Sequence, residues 1–80
     1  MILNNAIIED LKEKSGLLFD KAGDFSILSS LIFDETGRTI GVTTLKRLFY
    51  YIKDDRKASE YTLNTIALYV GYKSWEEYSA

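Results

Sequence analysis

Eighty residues, 46% of them apolar and 28% charged, make one domain near the lower size limit for folding on a hydrophobic core alone. Cysteine and histidine are both absent, which excludes a disulfide framework, thiolate or imidazole metal sites and the commonest general base. A net charge of −2 and a pI near 5.0 exclude wholesale affinity for nucleic acid, so any such function must rest on a local patch.

Helical periodicity dominates the chain. The first helix is expected over residues 4–14, with Ile7, Ile8 and Leu11 on one side and Glu9, Asp10, Lys12 and Glu13 on the other. Asn4 or Asn5 can cap its start, and Ser15-Gly16 stops it. The apolar run Leu17-Leu18-Phe19 has no strand partner and reads as a packed connection. The second helix is expected to take Asp24 as its N-cap and to run to about Thr36, with Phe25, Leu28, Leu31 and Ile32 as the core stripe and Gly37 as the left-handed stop. The third is expected from Gly41-Val42 to about Lys53, with Leu45, Leu48, Phe49 and Ile52 facing inward. Residues 54–58 form a charged loop. Ser59 then opens a fourth helix whose Leu63, Ile66, Ala67 and Val70 follow the same inward spacing, and Gly71 ends it. Ser74 and Glu77 form a capping box that starts a short fifth helix. Trp75 is expected to clamp this helix over the core, burying area worth roughly 2–3 kcal/mol. The expected architecture is therefore all-α, a single domain of five short helices over residues 1–80 with no internal linker. Its abrupt end at Ser79-Ala80 reads either as that of a fragment or as that of a short natural protein.

Charge is distributed unevenly along this architecture. Residues 36–57 hold six of the ten Lys and Arg residues against two acids, while the rest of the chain holds four Lys and ten acids. Within that segment Ile40, Leu45 and Leu48 have the 5-then-3 apolar spacing that holds the second helix of a helix-turn-helix unit to the first. The same register turns Thr43, Lys46, Arg47 and Tyr50 outward. Arg and Lys reach phosphates or guanine edges, and Thr and Tyr bind phosphate oxygens and contact thymine methyls. Arg38, Lys53, Arg56 and Lys57 flank this face and suit the phosphate backbone. The bland reading of the same cations is a solvated, solubilising face. Tyr51 is expected in the core.

These positions resemble helix-turn-helix modules of the phage-repressor-like class, in which five short helices form the domain and the third reads DNA. Ser59-Glu60-Tyr61-Thr62-Leu63-Asn64-Thr65-Ile66-Ala67, followed by Gly71, is similar to the helix that packs behind the reading helix there. The motifs Thr44-Leu45-Lys46-Arg47-Leu48 and Gly71-Tyr72-x-Ser74-Trp75-Glu76 look still more like a family of uncharacterised bacterial domains. Against the repressor pattern, the turn Gly37-Arg38-Thr39-Ile40 is about two residues longer, and Phe33 falls where a small residue lets two helices approach. The resemblance implies a double-stranded DNA partner, aided by a second copy or by other domains of a longer protein.

Catalysis finds little support in the sequence. No Gly-rich phosphate loop occurs. Asp34 with Glu35, and Glu76 with Glu77, point to different sides of their helices. Asp54-Asp55 alone offers too few oxygens for a hard cation. The expectation is a non-enzymatic protein without cofactor or metal. With no apolar run near the ~20 residues of a membrane helix and no signal peptide, it is expected in the cytoplasm. The alternative function is a protein–protein interaction or scaffolding module that keeps the bundle without binding DNA.

Overall fold

The computed structural model describes residues 3–51 and 57–80. Within them lie α1 (Asn5–Ser15), α2 (Ala22–Thr36), α3 (Val42–Leu48), α4 (Glu60–Tyr69) and α5 (Trp75–Ser79), and no strand. The expected all-α class is the observed one.

Local sequence sets the first helix. Asn4 Oδ1 accepts the Ile7 N–H at 3.0 Å, an N-cap worth about 1 kcal/mol. Gly16, at φ 74°, ends the helix in the left-handed conformation that glycine adopts without steric cost. Ile7 and Leu11, one turn apart, are fully buried.

The connection to α2 is packed, as expected, but it is organised by a residue expected elsewhere. Asp24 is not the N-cap of α2. The helix begins at Ala22 after Lys21, and no side chain caps it. Asp24 sits one turn in, where its carboxylate accepts the buried Phe19 N–H at 3.0 Å and also meets the positive end of the macrodipole. This bond holds Phe19 in a left-handed conformation, φ 59°, with its ring buried, while Leu18 is 69% exposed.

Phe25, Leu28 and Ile32 of α2 are fully buried, and Leu31 packs against them half-buried. Phe33 does not lie at the approach to α3; it is 53% exposed. Ser29 faces the following turn instead, donating its hydroxyl to the Ile40 carbonyl at 2.7 Å. Its small side chain brings the turn 37–41 against α2, so that Ile40, Leu45 and Leu48 all enter the core.

α3 stops well short of the expected end near residue 53. Tyr50 N–H donates to the Arg47 carbonyl (3.0 Å) and Tyr51 N–H to the Lys46 carbonyl (2.8 Å), with Tyr50 at φ 59°. These two bonds make a Schellman cap with tyrosine where glycine is usual. Aromatic packing accounts for the early stop: the Phe49 ring lies 4.4 Å from that of Phe19 and 5.4 Å from that of Phe25, and Tyr51 lies 5.1 Å from Phe25. Such pairs contribute about 0.5–1.5 kcal/mol each beyond their buried area. Tyr51 remains half-exposed, contrary to its expected core position. The expected inward position of Ile52 lies outside the described residues. The Leu48 carbonyl accepts the Leu3 N–H at 2.9 Å, which ties the start of the chain to the end of α3.

Ser59 caps α4 as expected, its Oγ accepting the Thr62 N–H at 3.1 Å. Ile66 and Ala67 are fully buried, with Leu63 and Val70 partly so. Thr65 and Tyr69 are buried as well. The Thr65 hydroxyl donates to the Tyr61 carbonyl at 2.7 Å, so its burial leaves no unmet donor. Gly71, at φ 101°, ends the helix.

Five residues are too few for a self-supporting helix, and α5 is held from outside. Ser74 Oγ accepts the Glu77 N–H, while Glu77 Oε1 reaches the Lys73 N–H, one residue earlier than in the usual capping box. Asn64 Oδ1 of α4 accepts the Trp75 N–H at 2.8 Å. Tyr78 donates its hydroxyl to Asp10 of α1 at 3.2 Å, and its ring lies 5.4 Å from Trp75 and 5.0 Å from Tyr72. The last helix thus bridges the first and the fourth.

Candidate nucleic-acid interface

The turn 37–41 and α3 carry Arg38, Lys46 and Arg47, and no acidic residue lies between positions 36 and 51. Burying Ile40, Leu45 and Leu48 leaves Thr43 exposed and Lys46 and Arg47 partly exposed. The helical register therefore places these three residues as expected. Tyr50 is placed differently. The Schellman cap takes it off the helix, so it projects beyond the end of α3 rather than along the outward face. Lys53 and Arg56 lie outside the described residues.

The cations fall into two groups. Arg38, Arg47 and Lys57 gather around the first turn of α4. The Arg38 guanidinium lies 5.2 Å from the centre of the Tyr61 ring, and its backbone N–H is held by Thr36 Oγ1 at 3.0 Å. Arg47 and Lys57 line a cleft of about 250 Å³ together with Thr44, Leu48, Ala58, Ser59 and Thr62. Lys46 stands apart from them, its ammonium 5.9 Å from the centre of the Tyr51 ring at the far end of α3.

The cleft between α3 and α4 presents two cations and three hydroxyls, and no carboxylate among its described lining residues. It also opens beside the N-terminal turn of α4, where the helix dipole favours negative charge. Such a lining suits a phosphate group. A second cleft, of about 390 Å³, is lined by Asp10, Glu13, Lys14, Val70 and Tyr72, and its two carboxylates would repel one.

Ser59 and Thr62 are the contributors that sequence reading passed over as contacts, while Thr44 reads there equally as a cap or a contact. Ser59 registers in the sequence as a capping residue, and it does cap α4. Thr44 lies one turn before Arg47 on α3, and the docking of both α3 and α4 on α2 brings Ser59 and Thr62 to the same cleft.

Among the described residues, no three carboxylates are grouped to hold a metal ion, and no helix is long and apolar enough to cross a membrane. Family models, curated proteins and solved structures were all compared with the chain, and none matches it.

Proposed function

We propose that the α3–α4 face binds double-stranded DNA, with α2, the turn 37–41 and α3 acting as a repressor-like helix-turn-helix in a cytoplasmic, non-catalytic protein. The observation that carries this reading is the cleft of Arg47, Lys57, Thr44, Ser59 and Thr62, with no carboxylate among its described lining residues, beside an α3 that turns Thr43 and Lys46 outward. In this reading the cleft seats a backbone phosphate while Thr43 meets a base edge and Lys46 a further phosphate. Arg38 positions a neighbouring phosphate from its place over Tyr61. Neutralising four or five phosphates gives a salt slope of log K of about −4.

A titration of labelled duplexes, random and genomic, followed by anisotropy from low to moderate salt, tests this reading. Binding at ~50 mM salt with that slope is expected, and Lys46→Glu combined with Lys57→Glu should remove about two units of it. An unchanged circular dichroism spectrum would show that the pair acts on binding and not on folding. No shift with any duplex at low salt overturns the reading.

The competing function, a protein-interaction or scaffolding module, is favoured by the large apolar side chains left in solvent, above all Leu18, Ile27 and Phe33.

A further inference from the structure

α2 carries its exposed apolar residues in an ordered pattern. Ser26, Ile27, Ser30, Phe33 and Asp34 follow the spacing i, i+1, i+4, i+7, i+8, which defines one helix face, and all five are exposed. Ile27 is 49% and Phe33 53% exposed. The pattern also reads the same in both directions about Ser30. Ile27 and Phe33 lie three residues to either side of it, Ser26 and Asp34 four, and Gly23 and Gly37 seven.

We propose that this face pairs with the same face of a second copy, the two α2 helices running antiparallel about a twofold axis through Ser30. The axis sets Phe33 of each copy against Ile27 of the other, a self-complementary contact of the kind that twofold symmetry requires. Asp34 meets Ser26, whose hydroxyl can donate to the carboxylate. Gly23 meets Gly37, so nothing bulky at either end of the stripe holds the helices apart. Ser30 on the axis is small enough for the helices to meet within the usual 8–10 Å interaxial range.

Charge selects this occupant and this direction. The stripe carries a single charge, Asp34, so it offers no complement to a strongly charged partner. In a parallel pair the two Asp34 carboxylates would face each other. In the antiparallel pair they stand roughly 12 Å apart along the axis at 1.5 Å per residue, and the two helix dipoles oppose favourably. Fifteen residues span only about 22 Å, so the pair buries less than the ~1,600 Å² of a standard interface. The dimer is correspondingly weak, forming in the micromolar to near-millimolar range. It stands whether or not the domain binds DNA.

Sedimentation equilibrium of the full chain tests the proposal. The weight-average mass should rise from 9.2 kDa toward twice that value with concentration. Phe33→Lys, a change at an exposed position, should hold the protein at the monomer mass with an unaltered circular dichroism spectrum. The native chain has no cysteine, so Ser30→Cys offers a geometric check. With Cα atoms ~2.3 Å from each helix axis and the helices about 9–10 Å apart, cysteines at the twofold stand about 4.4–5.4 Å apart, within the ~4.4–6.8 Å Cα separation of a disulfide. This variant should cross-link on mild oxidation much faster than Glu76→Cys. A chain that stays monomeric throughout overturns the proposal and leaves the face to another partner. Equal dimerisation of Phe33→Lys, or equal cross-linking of the two cysteine variants, overturns it in favour of a different contact surface.

Discussion

Tyr50 bears a conformational cost that, among the described residues, it shares with Phe19. A left-handed backbone costs an L-residue with a Cβ about 1–2 kcal/mol, and Tyr50 accepts it at φ 59° to close the cap of α3. Glycine would relieve that cost while adding about 0.5–1 kcal/mol of unfolded-state entropy. Tyr50→Gly should therefore raise stability by roughly 0.5–1 kcal/mol, seen as a higher urea midpoint at unchanged slope. A lower midpoint would mean that the ring, 41% exposed, packs more strongly than its exposure indicates. Phe19 shows the same backbone sign with a different remedy. There the Asp24 carboxylate holds the strained residue through its N–H. Sequence alone assigned Asp24 to an N-cap because acceptor residues at helix starts usually serve the helix itself. Nothing local announces that the acceptor will reach back five residues to a buried ring.

Among the elements, α1, α4 and α5 were legible in the sequence because each carries its own boundary signals. Asn4 and Gly16 bracket the first, Ser59 and Gly71 the second, and Ser74 with Glu77 opens the third. α3 was not, since its end is set by contacts distant in sequence. The chain leaves the helical path at Tyr50, just after Phe49 stacks with Phe19 and Phe25, and the apolar spacing that suggested five more residues of helix could not show this. The candidate interface divides in the same way. Thr43, Thr44, Lys46 and Arg47 follow from the register of one helix, whereas Ser59 and Thr62 join them only through the tertiary fold. For α5, the Asn64–Trp75 hydrogen bond is the predicted point of failure. Asn64→Ala leaves a partly buried N–H unmatched and should cost about 1–3 kcal/mol. Hydrogen exchange should show the loss of protection concentrated in residues 71–80. A uniform loss across all helices would show instead that α5 unfolds only with the whole domain.

At the scale of the molecule, alkaline pH reports on the core. Burial pushes the Tyr69 phenol above its ordinary value of 10.0, and the nearby Glu35 carboxylate raises it further. Tyr78 is also raised, by burial first and then by its hydrogen bond to Asp10. A raised phenol is neutral in the fold when the unfolded chain has begun to ionise. Its contribution is therefore complete below about pH 10 and is lost as pH climbs through the folded value. Unfolding free energies measured between about pH 8 and 11 should fall at the upper end, and Tyr69→Phe should flatten part of that decline. If Tyr69→Phe leaves the profile unchanged, the decline arises from other groups.

The bridge from Tyr78 to Asp10 spans 68 positions of the chain, and it bears on synthesis. A chain emerging from the ribosome presents α1 well before Tyr78, its partner 68 positions further on. The α2–α3 unit can begin to assemble once Leu48 is out. The acidic face of α1 must wait until residue 78 has emerged for Tyr78 to reach it. Closure of this domain through α5 thus waits for its own last helix, and a nascent chain stalled before residue 78 would display Asp10 without its hydroxyl partner.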